Sequence, residues 1–250
     1  MKTANERAAS LPLENKPSFN IQELSITLFA GELEPGTIHP AVLQYLGIIP
    51  AQWELVENPI HSDRELKLVF TNQVRLTIQS NRIIFAETVG QKQIQDIQII
   101  QIASAYVKTF SHIKYRGISI NPSGYVPFDS HKNASKYIVE NLVPSQPWKT
   151  FEDDRLSAVS LKLAYPYKSG NFYLEINQAQ IEIRRQLLAA VWFAGNFNYV
   201  LEGASDREKL QHLQTLVSQW KTDVNKFRSF ISNKFLNTFK TPPVSVFPLE

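Results

Sequence analysis

Ile48-Ile49-Pro50-Ala51-Gln52-Trp53 and Leu142-Val143-Pro144-Ser145-Gln146-Pro147-Trp148 are two forms of one phrase. Each reads as two apolar residues, a proline, a small residue, a glutamine and then, at once or one residue later, a tryptophan. Each phrase closes a short stretch that begins beside a histidine, His39 in one case and His131 in the other. Ile26 and Ile118 stand at the same separation as those histidines. Self-similarity of this kind marks a repeated structural unit.

Outward from the first phrase, Leu24, Ile26 and Leu28 alternate with Glu23, Ser25 and Thr27, the period of a half-buried strand. Glu34-Pro35-Gly36-Thr37 suits a turn, and Pro40 to Tyr45 suits a short helix with proline at its first position. Glu65–Phe70, Val74–Gln79 and Arg82–Thr88 then read as a meander of three strands. Ile94, Ile97, Ile100, Val107 and Phe110 recur at helical spacing, which predicts a helix from about Gln93 to Phe110. The β-branched run from Ile97 to Ile102 leaves a strand as the alternative there.

Outward from the second phrase the order recurs. Tyr115–Ile120 reads as a strand and Asn121-Pro122-Ser123-Gly124 as a turn, with Ser123 a turn serine. Asp129 or Ser130 caps a helix through Ala134, Tyr137, Ile138 and Leu142. Strands follow at Leu156–Tyr165, Phe172–Ile176 and Ala190–Val200, while Ile181–Leu188 is ambiguous. Ser205 and Glu208 form a capping box, and Leu210, Leu213, Val217, Trp220, Val224, Phe227, Ile231 and Phe235 continue as one apolar stripe.

The expected fold is therefore α+β, a tandem duplication of a β-α-β-β-β-α unit. Its curved antiparallel sheets are each backed by a helix, and the chain closes on a long C-terminal helix. The expected organisation is a flexible arm over 1–19, a first repeat over 20–113 and a second over 114–240. The long helix occupies about 206–236, and 241–250 form a proline-rich apolar tail. The element order resembles the doubled fold of the TATA-binding protein, at the level of fold alone and without a sequence match. LGIIPAQW (Leu46–Trp53), NRIIFAE (Asn81–Glu87) and GISINPSGYVPF (Gly117–Phe128) resemble bacterial, mainly cyanobacterial, proteins to which no activity is assigned. The closing segments of the two halves are more distantly similar to a sporadically distributed bacterial family, whose members end in a helix like that from Asp206 to Phe235. Neither likeness implies a functional residue.

The 250 residues are 43% hydrophobic and 20% charged, enough apolar content for a core without staples. There is no cysteine, which excludes disulfides, thiolate metal sites and a cysteine nucleophile. The polar opening Met1–Ala9 and the lack of a long apolar run predict a cytoplasmic protein with no membrane segment. No G-x-S-x-G, phosphate-binding glycine loop or H-E-x-x-H occurs, so neither catalytic nor metal-ligating residues nor a cofactor are expected. His39 and His131 are expected to cap or flank their helices, and Glu152-Asp153-Asp154 to form a solvated turn.

Two features point to binding. The tail carries Val244, Val246, Phe247 and Leu249, large apolar residues suited to a partner's groove or sheet edge. The last helix carries Lys221, Lys226, Arg228 and Lys234. Their bland reading is a solvated face with cations favoured near a helix C-terminus, and their sharper one an anionic partner. Phe70, Phe85, Phe172, Tyr173, Trp192 and Phe193 are candidates for base stacking if they line an open sheet face. The sequence thus predicts a non-enzymatic binding or assembly protein, engaging a protein partner through its sheet and tail. A nucleic-acid-binding protein is the alternative, and a small-ligand pocket between sheet and helix the third reading.

Overall fold

The computed structural model describes Phe19, residues 21–183 and residues 185–238. Strand β1 (Ile21–Ala30) buries Leu24, Ile26 and Leu28 completely. Helix α1 (Pro40–Tyr45) starts at Pro40, and the His39 ring caps it by accepting from the Ala41 amide at 3.2 Å. The expected meander follows as β3 (Glu65–Val69), β4 (Val74–Gln79) and β5 (Arg82–Thr88), preceded by a two-residue strand β2 (Ile60–His61).

The choice between helix and strand after Gln93 falls to the helix. A short 3-10 turn (Ile94–Asp96) leads into α2 (Ile99–Thr109), whose buried face is Ile99, Ile102, Ala103, Tyr106 and Val107. Its start has no cap of its own. Instead the fully buried Glu87 carboxylate, on β5, accepts from the amides of Gln98 (2.7 Å) and Ile99 (3.0 Å). A carboxylate placed there satisfies orphan donors and opposes the positive end of the helix dipole.

The expected turn at Asn121–Gly124 is not a turn. It lies within the 14-residue strand β6 (Tyr115–Phe128). Pro122 has no N–H to donate and is normally excluded from a central strand. Here it pairs with Leu24 of β1, while the partnering of β6 on its other side lapses between Ser123↔Ala194 and Ile120↔Phe197. That lapse leaves no ladder position asking for the missing donor.

Helix α3 (His131–Lys136) is capped by the Ser130 hydroxyl and runs on into a π-helical turn (Tyr137–Leu142). A minimal hairpin, β7 (Thr150–Phe151) and β8 (Asp154–Arg155), carries the exposed Glu152-Asp153-Asp154 cluster at its turn. Strands β9 (Leu161–Tyr167), β10 (Gly170–Ile183) and β11 (Gln186–Val200) complete the sheet. The ambiguous stretch Ile181–Leu188 resolves into the far ends of β10 and β11, paired through Ile181↔Leu188.

All these strands except β7 and β8 join one antiparallel sheet of nine, in the order β2-β3-β4-β5-β1-β6-β11-β10-β9. From the central β1–β6 pair the order runs outward as β5-β4-β3 on one side and β11-β10-β9 on the other. At the centre, Ile26 faces Ile120, Thr27 faces Ser119 and Leu28 faces Ile118.

In place of one helix over about 206–236 there are α4 (Asp206–Ser218), α5 (Trp220–Phe230), a π-helical turn (Ile231–Phe235) and a 3-10 turn (Leu236–Thr238). The capping box of Ser205 and Glu208 is present. Gln219, at ψ near 0°, bends the path, and Leu213, Val217, Trp220, Val224, Phe227, Ile231 and Phe235 are all buried. The bend and the wider turn keep the stripe on the sheet, so Leu236 is buried as well. α2 packs on β5 and β1, and α4 and α5 on β6. One core cluster, from Leu24 and Phe85 to Phe193 and Phe227, runs under both halves.

Candidate functional site

Because strand residues alternate in direction, covering one face of this sheet with helices leaves the other to different residues. Phe70, Phe85, Phe172 and Phe193 belong to the buried core. Tyr173 and Trp192, from the same candidate set, fall on the opposite, half-buried side of their strands. There Trp192 stacks on Tyr125 of β6, with ring centroids 6.1 Å apart and planes at 24°.

Further along the same face, beyond Ser123 and Ala194, Asn121 donates its side-chain amide toward Ser25, Thr27 and Ser119, at 3.2–3.5 Å. Its Oδ1 and the Oδ1 of Asn196 are both buried without a hydrogen-bond partner among the described residues. Buried polar atoms are nearly always paired, so two adjacent orphan acceptors stand out. They mark the middle of the sheet, where the ladder between β6 and β11 lapses.

Two cations of this face are held in ion pairs, while Lys67 and Arg82, in register with Thr77 and Gln79 on the same side, make none among the described residues. Arg75 pairs with Glu23 at 2.6 Å and Lys162 with Glu175 at 2.9 Å, which pushes the Lys162 ammonium above its ordinary pKa through the Glu175 hydrogen bond. Glu65 accepts from Gln79 at 2.8 Å.

The opposite side of the sheet carries a recess between the outer strands and α5. Its volume is about 680 Å³, and its walls are Tyr165, Tyr167, Phe172, Phe197, Phe227 and Phe230. Phe172 stacks on Phe197 (4.4 Å) and on Tyr165 (5.9 Å), and Phe230 meets both Tyr165 and Phe172 edge-on. At one end Asp223, 1% exposed, accepts from the hydroxyls of Tyr199 (2.7 Å) and Tyr167 (3.0 Å). Lys168 lies 3.6 Å from the same carboxylate. Burial, reinforced by the Asp223 hydrogen bond, pushes the Tyr199 phenol well above its ordinary pKa. Lys226 donates to the Tyr167 hydroxyl at 2.9 Å, a contact that raises the lysine's pKa, and lies 4.9 Å from the centre of that ring.

The four cations expected to act together are divided. Lys226 and Lys234 border the recess, whereas Lys221 and Arg228 are not among its walls. Lys221 lies over the Trp220 ring at 5.7 Å, and Arg228 is half-buried. Val244, Val246, Phe247 and Leu249 lie outside the described residues. His131 opens α3 beside its Ser130 cap. Among the described residues no three His, Asp or Glu side chains gather as a metal site, and no helix is long and apolar enough to cross a membrane.

Asp223 was not singled out from the sequence. Its spacing, three residues after Trp220 and four before Phe227, places it on the apolar stripe, and that phase was the available signal. Nothing in the sequence singles out Asn121 or Asn196. No family model matches the chain, and a search of the curated proteins gives no match.

Proposed function

We propose that this is a non-enzymatic binding protein, built by tandem duplication, whose second sheet face, the one that none of the described helices covers, docks a protein partner. The observation that carries the reading is the pair of orphan amide oxygens, Asn121 and Asn196, on the same face as the stacked Tyr125 and Trp192 and separated from them by Ser123 and Ala194. A half-buried aromatic cluster with unmet acceptors suits a partner that supplies backbone or side-chain donors and excludes water. The strand order that runs outward alike from β1 and β6 supports duplication, as do the echoed phrases around Trp53 and Trp148.

Charge supports a protein over a nucleic acid. A phosphate backbone calls for a large surplus of cations, and on this face Arg75 and Lys162 are held by Glu23 and Glu175, while Lys67 and Arg82 stand with Glu65 on the neighbouring strands. The apolar tail with Val244, Val246, Phe247 and Leu249 is a second element of the proposed interaction.

The test compares pull-downs by the full-length protein and by Ala194→Arg, a change at a half-buried position beside Ser123 on the open face. A protein recovered in near-stoichiometric amount by the parent and lost with Ala194→Arg, at an unchanged melting temperature, is the expected result. Equal recovery by the variant overturns the reading. So does recovery only of nucleic acid that elutes as salt rises, since an added arginine strengthens phosphate binding.

A further inference from the structure

We infer that the recess between the outer strands and α5 is a site for a small amphipathic carboxylate, an aromatic or acyl body bearing one anionic group. The inference is independent of the proposed docking face, which lies on the other side of the sheet.

Volume and walls come first. About 680 Å³ falls within the usual range for small-molecule sites. The walls are aromatic, and the rings of Tyr165, Phe172 and Phe197 lie nearly parallel, with interplanar angles of 20° and 22°. Stacked on one another, these rings make a continuous apolar wall for the body of a ligand, and Tyr165, 37% exposed, is the outermost of them.

Charge settles the polar end. Asp223 reaches the recess through Tyr167, but it is buried and its oxygens are engaged by Tyr167, Tyr199 and Lys168. Its charge is therefore met from within. The Tyr167 hydroxyl donates to Asp223 and accepts from Lys226, which fixes the position of that ammonium. An ammonium has three donors, so Lys226 keeps capacity for a ligand. Lys234, exposed and also lining the recess eight residues further along the helical run, makes no ion pair among the described residues. Two cations at the rim of an aromatic recess complement a carboxylate, with Asn225 and Asn233 as further polar neighbours.

The test is calorimetric titration of the full-length protein with naphthoate, and with naphthalenemethanol as its uncharged counterpart. Lys226→Gln combined with Lys234→Gln should weaken naphthoate roughly tenfold or more and leave the alcohol unchanged. Ser229→Trp, which places a large ring at the recess from an exposed helix position, should remove both probes without loss of fold. Ala194→Arg should affect neither. Equal binding of acid and alcohol before and after the lysine change overturns the inference, as does unaltered binding by Ser229→Trp. Absence of naphthoate binding to the full chain also overturns it. If binding then emerges on removal of residues 239–250, the recess belongs to the chain's own tail.

Discussion

Replacing Glu87 tests the tertiary cap on α2. Its side chain is 0% exposed and serves three donors: the amides of Gln98 and Ile99, and the Lys92 ammonium at 2.9 Å. Glu87→Ala leaves two helix-start amides without an acceptor, at about 1–3 kcal/mol for each buried group, and leaves the half-buried Lys92 ammonium with the Asn72 carbonyl (3.1 Å) but no counter-charge. Removing one member of a buried, hydrogen-bonded charge pair costs about 3–5 kcal/mol. In a chain of this size each kcal/mol lowers the melting temperature by about 2–4 °C, so a fall of about 6–20 °C is expected. Glu87→Gln retains an oxygen for the amides but turns an NH2 group toward Lys92, and about 2 kcal/mol should go. Thermal and urea unfolding followed by circular dichroism measure both. An alanine variant within about 1 kcal/mol of the parent would refute the cap, because orphaned amides carry at least that penalty. A glutamine variant as unstable as alanine would show that charge alone holds the helix start.

Gly195→Ala should destabilise by about 1–3 kcal/mol in the same unfolding assay, since a Cβ there would stand 2.8 Å from the Phe227 ring, which the core holds in place. Alkaline conditions should also weaken the fold. Burial raises the pKa of Tyr106, Tyr115, Tyr137 and Tyr199 above the ordinary value of 10.0, so the folded state keeps protons that the unfolded chain releases. Stability is then fully present below about pH 10 and falls above it, at about 1.4 kcal/mol per pH unit for each such phenol. Ultraviolet titration should show these tyrosines ionising only as the protein unfolds. Ionisation of all nine tyrosines while the near-ultraviolet dichroism stays native would contradict it.

The elements legible in the sequence were those whose cause is local. Ser205 and Glu208 satisfy each other within one turn, and the period of Leu24, Ile26 and Leu28 needs no knowledge of β5 or β6. Errors came where a distant partner changed the outcome. Pro122 looks like a turn residue until the lapse in the β6–β11 ladder removes the demand for its N–H. The start of α2 carries no capping signal because the capping group stands on β5. The echoed tryptophans also diverge: Trp53 packs on Phe70 at 5.2 Å, whereas Trp148 is 60% exposed. Of the candidate sites, the sequence offered the rim lysines Lys226 and Lys234 and, of the aromatic walls, Phe172 alone; those walls come from three strands and a helix that only the fold brings together.

The central place of β1 has a consequence for synthesis. β1 is held on one side by β5 and on the other by β6, and β6 is made later. While the chain is emerging, β1 can close against β5 as soon as residue 88 is free, yet its second edge must wait for residues 115–128. During that interval a ten-residue row of backbone donors and acceptors faces outward. Any neighbouring nascent copy presents the same row and can pair with it in antiparallel register, as β6 later does. The middle of the finished sheet is thus the most vulnerable edge of the unfinished one, and prompt arrival of β6 protects it.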